Sequence, residues 1–256
     1  MAMLRLASSL NGYRIAATDG AIGSVSDTLF DDTTWKLRWL VADTGAWLGG
    51  ARVLIHPSML GVSSDEDRTL SVRLSKVQVK NSPGRLHDRP VSQQMEDDLY
   101  NYFGWDPLWG ASTFGPDSGQ ARRRDAGHRL RAGGTLMQVP QGDPHLRSVS
   151  AVTGYHVLAS DGEIGHVQDF LVDDEMWLLK YLIVDTSNWW IGEHVLVSPF
   201  AVTEINYSSS RVTAGITRER VKTSPRWSLQ DPADEPYQQR LHDHYQWPGY
   251  GWAMMA

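Results

Sequence analysis

The chain has 256 residues, 41% of them hydrophobic and 21% charged, with 11 Trp, no Cys and a formal net charge of −6. That length suits two domains that each bury a core, and zero Cys excludes disulfides, thiolate nucleophiles and Cys-ligated zinc or iron–sulfur centres. A mildly acidic chain is not expected to take nucleic acid as its main partner, and the lack of Cys suits a reducing, cytoplasmic setting.

Residues 1–10 hold one Arg and too short an apolar run for a signal-peptide core. From position 12 the chain reads GYRIAATDGAIGSVSDTLFDDTTWKLRWLVADTGAWLGGARVLIHP. Short β-branched and aromatic runs broken by turn residues predict strands near 13–17, 22–30, 35–43 and 52–55. A further hairpin is expected from 59–62 and 69–74 around the Ser-Asp-Glu-Asp stretch at 64–67. Residues 76–80 read as a helical turn closed by Asn81 and stopped by Pro83. Ser92 then caps a helix with Glu96, Asp97 and Asp98 early in it, where the dipole favours acids. Met95, Leu99 and Phe103 form its apolar stripe, and Gly104 ends it.

Residues 110–150 are rich in Gly, Ser, Asp and Arg, with six Arg against three Asp, and read as a connector. Within it Arg122, Arg123 and Arg124 are candidates for contact with an anionic partner. Charge runs of this kind are usually solvated, and no aromatic residue interleaves to stack bases.

From position 154 the first pattern returns as GYHVLASDGEIGHVQDFLVDDEMWLLKYLIVDTSNWWIGEHVLVSP, 142 positions on, without a gap and with about half the residues identical. Asp161-Gly162 marks a tight turn, because Gly accepts a positive φ. Gly23 and Gly165 mark a bulge or sharp bend. The run 177–186 is nearly continuous apolar sequence, as expected of a central strand; Lys180, Asp185 and Glu193 keep the window 177–197 from being a membrane span. The helical turn recurs at 218–222, and Pro236 starts a helix whose Tyr237, Leu241 and Tyr245 match the earlier stripe.

The shared pattern GYxxxxxDGxIGxVxDxLxDD, then W-x-L-x-x-L-x-x-DT, then VL-x-x-P, resembles the PRC-barrel family. That is the small β-barrel of the cytoplasmic part of the photosynthetic reaction-centre H subunit and of the end of a ribosome-maturation factor. The resemblance implies a bacterial protein that works by binding other macromolecules. Fold class is therefore expected to be mainly β: two tandem small antiparallel barrels, each followed by a helical turn and an appended α-helix. Expected boundaries are 1–109 for the first repeat, 110–150 for the linker and 151–256 for the second repeat.

No catalytic, cofactor or metal signature stands out. His242 and His244 lie two apart on a helix, so their side chains diverge by some 200° and cannot close on one ion; a polar helix face is the plainer reading. Asp31-Asp32 and Asp173-Asp174-Glu175 are hairpin-tip acids suited to local hydrogen bonding. Asp43 and Asp185, each followed by Thr in an apolar strand, are candidates for buried structural carboxylates. Trp and Tyr at surfaces are enriched in binding hot spots, so Trp47, Trp189, Trp190, Trp105 and Trp247 are the candidate protein-contact residues. The sequence favours a non-enzymatic binding or scaffold module for a protein partner, with a homodimer as one form. Two other readings stay open: an RNA- or ribosome-associated assembly factor, and an H-subunit-like accessory protein without the membrane helix.

Overall fold

A computed structural model describes residues 4–83, 85–86, 91, 93–104, 143–187, 194–231 and 233–249. The chain divides into two compact units, one of Leu10–Ser148 and one of Met1–Ser9 with Val149–Ala256.

The first unit is an eight-stranded sheet. Its strands are β2 (Arg14–Ala17), β3 (Gly20–Asp31), β4 (Leu37–Asp43), β5 (Arg52–Ile55), β6 (Leu60–Ser64), β7 (Thr69–Val72), β8 (Arg85–Leu86) and β9 (Leu146–Ser148). They pair in the order β6-β7-β2-β3-β4-β5-β8, with β9 added on β3. Two helices follow the strands: α1 (Lys76–Asn81) and α2 (Gln93–Phe103). A reciprocal Ser75–Gln78 capping box starts α1, and Gly104, at φ 66°, follows α2.

The second unit repeats this design with seven strands. Strand β1 is Leu4–Leu6; after the short helix α3 (Val149–Val152) come β10 (His156–Ala159), β11 (Gly162–Asp173), β12 (Leu178–Asp185), β13 (His194–Val197), β14 (Val202–Asn206) and β15 (Arg211–Ala214). The order is β13-β12-β11-β10-β15-β14, with β1 on β11. Helices α4 (Arg218–Lys222) and α5 (Glu235–Tyr245) close the unit, and Asp234 caps α5 by accepting from the Tyr237 N–H.

Both units are antiparallel except at one place. β2 pairs parallel with β7, and β10 parallel with β15. The long crossing from β2 to β7 permits this, since a parallel pair needs an extended connection.

The expected glycine bend is present. Gly23 has φ 142° and Gly165 φ 138°, and a Cβ there would lie 2.0 and 1.9 Å from the carbonyl oxygens of Asp43 and Asp185. The register shifts at this point in both hairpins.

The division of the chain departs from the repeat boundaries. Strand β1 pairs with β11 through Leu4↔Asp173, Arg5↔Val172 and Leu6↔Leu171. Strand β9 pairs with β3 through Leu146↔Asp31, Arg147↔Phe30 and Ser148↔Leu29. The two added strands stand 142 positions apart, as do their partners, and each sits in the sheet of the other repeat. The units are therefore not 1–109 and 151–256: each repeat contributes its first strand to the sheet of the other. The Asp that the two repeats share, Asp27 in one and Asp169 in the other, anchors the visiting segment. Asp169 accepts from the Ser8 N–H at 3.1 Å and from the Ser8 hydroxyl, and Asp27 accepts from the Ser148 hydroxyl at 2.5 Å.

Candidate protein-contact site

Burial of Trp39, Leu40, Ile55 and Phe30 in the first unit, and of Tyr181, Leu182, Ile183 and Phe170 in the second, forms the cores. Each such side chain contributes roughly 1.5–3 kcal/mol of transfer free energy. Against these cores lie α2 and α5, with titratable groups gathered beneath them.

In the first unit Arg38 is buried among Asp31 at 3.3 Å, Asp143 at 2.8 Å and Glu96. Burial alone would lower the Arg38 pKa; Glu96, Asp143 and Asp31 outweigh it and hold the guanidinium charged. Glu96 also accepts from the Trp39 indole N–H at 2.5 Å. Trp39, His56 and Tyr100 pack with ring centroids 5.5–5.7 Å apart. Burial, then the Arg38 charge, pulls the His56 pKa down to about 4, so the ring is neutral at pH 7. Its Nδ1 accepts from the Ser58 N–H and caps a 3-10 turn, the task Ser198 performs in the second unit.

The second unit uses other residues at the same places. Lys180 pairs with Asp173 at 2.8 Å. The Tyr181 hydroxyl and His242 Nε2 are 2.8 Å apart, and His242 Nδ1 lies 2.5 Å from the Pro248 carbonyl. His242 is 1% exposed and its pKa is lowered, chiefly by burial. The histidine pair does diverge, with His244 Nε2 directed to the Arg220 carbonyl at 2.9 Å. The polar-face reading fails for His242, because α5 turns that side onto the aromatic ring of Tyr181.

The acids at hairpin tips act locally. Asp31 Oδ1 accepts from the Thr33 and Thr34 N–H groups, both at 3.0 Å, and Asp173 Oδ1 from those of Glu175 and Met176 at 3.0 and 2.9 Å. Such Asx turns hold the next backbone in place; Trp35 and Trp177 follow at φ 58° and 52°. Asp43 and Asp185 are not buried. They end their strands, exposed and half-buried respectively, and accept from the N–H two residues on at 2.8 Å. At Asp185 burial raises the pKa, but the Ser187 hydrogen bonds, His166 and His194 outweigh it and leave it lowered. Among the described residues no group of three or more His, Asp or Glu is arranged to hold a metal ion.

Among the described residues, a short aromatic and apolar ridge lies along α1 at the surface of the first unit, apart from the still more exposed Val62. Trp47 lies half-buried in a 3-10 turn, with Lys76 Nζ 5.0 Å from the centre of its ring. The Lys76 N–H donates to Asp19 at 2.7 Å, which fixes the start of α1. Next in sequence, Val77 is 63% exposed. The Tyr102 hydroxyl donates to the Gln78 carbonyl at 3.4 Å, its ring 44% exposed and edge-on to Phe103 at 4.7 Å. Three of these positions change character in the second repeat, where Glu219, Arg220 and His244 replace Val77, Gln78 and Tyr102. Arg220 Nη2 there donates to the His244 carbonyl.

Of the sequence candidates, Trp47 belongs to this ridge. Trp247 is half-buried, stacked on Tyr245 at 4.1 Å and edge-on to His242, and so covers the end of α5. Trp105, Trp189, Trp190, Arg122, Arg123 and Arg124 lie outside the described residues. Sequence reading missed Val77 and Tyr102. Their signal was available in the contrast between repeats, apolar in one and charged in the other.

Two duplicated sheets, each with a terminal helix, make this a mainly β repeat protein. Residues 4–71 match the PRC-barrel domain model. The second half repeats the strand order of that sheet apart from β8, which is consistent with a tandem of two such barrels. No curated protein matches the chain. No helix among the described residues is long and apolar enough to cross a membrane.

Proposed function

We propose that the chain is a non-enzymatic binding module that docks a protein partner on the Trp47–Lys76–Val77–Tyr102 ridge of its first repeat, as part of a larger assembly. PRC-barrel domains are in general non-catalytic binding modules, and the arrangement of charged groups agrees with that use. Arg38, Asp31, Glu96, Asp143, Lys180 and Asp173 are buried in pairs and clusters that fasten backbone and helix.

The observation that carries the reading is the exposure of Val77 and Tyr102 where the other repeat has Glu219 and His244. Trp and Tyr at a surface are among the residues most enriched in contact hot spots, and Trp47 and Tyr102 supply both here. The test replaces Val77 by Glu and Tyr102 by Ala, the first change copying the second repeat. Proteins recovered with the purified chain should be lost with both variants while the melting temperature stays within a few degrees. Retention of the same partners by both variants would refute the assignment.

A further inference from the structure

We infer that His166, Asp185 and His194 bind one divalent transition-metal cation of the zinc class on the sheet of the second unit. The three lie far apart in sequence, and the strand register brings them into one row.

His166 on β11 stands opposite Asp185 on β12, and Asp185 stands opposite His194 on β13. Residues directly opposite on antiparallel strands share a face, with Cβ atoms ~4.5–5.5 Å apart. The carboxylate is therefore flanked by an imidazole on each side. His166 Nε2 lies 3.6 Å from Asp185 Oδ2, beyond hydrogen-bond reach. Two donors on one tetrahedral zinc, each ~2.0–2.1 Å from it, stand roughly 3.3 Å apart, so this pair is already near ligand spacing. In this structure the three side chains do not converge on one point. His194, half-buried at the start of β13, completes the set by a change of rotamer.

The carboxylate is prepared for a cation. Its Oδ1 accepts from the Ser187 N–H at 2.8 Å, in the way outer hydrogen bonds orient metal ligands, while Oδ2 is the oxygen directed at His166. Burial would raise the Asp185 pKa, but the Ser187 hydrogen bonds, then His166 and His194, outweigh it and keep the group ionised.

The first repeat supplies the contrast. The same row there reads Ser24, Asp43 and Arg52, with the same pairings. The aspartate is kept, but its neighbours are a hydroxyl and a fixed positive charge, which repels a metal ion. Two imidazoles and a carboxylate, with no thiolate in the chain, suit zinc and its first-row neighbours better than calcium or magnesium. His156 faces His166 from β10, but it stands two strands from Asp185, roughly 10 Å. Its Nδ1 lies 2.8 Å from Glu163 Oε1, so it is not part of the set.

The test titrates zinc chloride by calorimetry into the full chain, purified without a polyhistidine tag and stripped with EDTA. The unsubstituted chain should take up zinc. His166→Ser and His194→Arg, each copying the first repeat, should both weaken that uptake at least about tenfold, since even the loss of an outer-shell partner costs that much. His156→Arg, which copies Arg14, should leave it unchanged. No uptake by the unsubstituted chain, uptake retained by either of the first two variants, or an equal loss in His156→Arg overturns the inference. Should a variant fail to fold, anomalous scattering from a zinc-soaked crystal of the unsubstituted chain decides. A peak bonded to Asp185 and both imidazoles supports the site, and the lack of one there refutes it.

Discussion

The Trp39 indole donates to Glu96, 57 residues away, and so ties α2 to the centre of the first sheet. In the second repeat the matching residues are Tyr181 and Gln238, and the tie moves four residues along the helix to Tyr181 and His242. The helix is kept in place while the chemistry that keeps it differs. In the first unit that chemistry is ionic, which makes it sensitive to the loss of either charge.

Removing Arg38 would leave Asp31, Glu96 and Asp143 buried beside one another. Arg38→Met is expected to destabilise the first unit by ~3–5 kcal/mol, since an uncompensated buried charge costs that much. Lys180→Met takes the cation from Asp173, where Arg38 faces three carboxylates, and should cost less. Denaturant melts of both variants check the order; equal losses would contradict it.

Stability should fall with acid through His56. Its folded pKa, about 4, lies below the ordinary 6.5. The unfolded chain therefore binds the proton first, and stability is complete above about pH 7 and lost as pH falls toward 4. The contribution is about 3 kcal/mol, and buried His242 acts in the same direction. His56→Ser, copying Ser198, should flatten the stability curve between pH 7 and 4. An unchanged slope would mean that His56 is already charged in the folded state.

Gly23→Ala and Gly165→Ala are each expected to cost more than about 3 kcal/mol. A Cβ would meet the Asp43 or Asp185 carbonyl oxygen at about half the contact distance, at a φ that L residues rarely adopt. Gly45→Ala, with open space around its Cβ position, should cost far less. Thermal melts of the three variants test the ranking.

The exchange of first strands predicts which fragments fold well. A fragment of residues 149–256 lacks any strand for the β11 groove, whereas residues 143–256 bring Leu146–Ser148, the repeat's own first strand. The longer fragment should be more stable by ~2–3 kcal/mol, about the burial of one large aliphatic side chain with its ladder bonds. Equal melting of the two fragments would show that the first strand contributes little.

Much of the fold was legible because duplication marks it twice. The glycines of the tight turn, Gly20 and Gly162, the bend glycines and the stripe of Tyr237, Leu241 and Tyr245 all have local causes. The exchange had none. Leu4–Leu6 and Leu146–Ser148 carry the same kind of side chains to the same kind of groove, so no local preference distinguishes self-pairing from crossing. The burial of His242 was hidden for a related reason: helical spacing separates it from His244 but does not say which side meets Tyr181. At Asp43 and Asp185 the apolar run before them suggested burial, yet the strand ends there and its last side chain turns outward. The parallel pairs β2–β7 and β10–β15 join segments far apart in sequence, which turn residues cannot reveal.

The crossing of β1 and β9 also separates what was duplicated from what folds. A copied gene segment delivers a whole repeat, but neither sheet is complete until both repeats are on one chain. Excising one repeat would take a strand from its neighbour, and a single cut in the segment between them would yield two fragments that still each hold part of the other. Inheritance proceeds here by repeats, and stability by interlocked pairs.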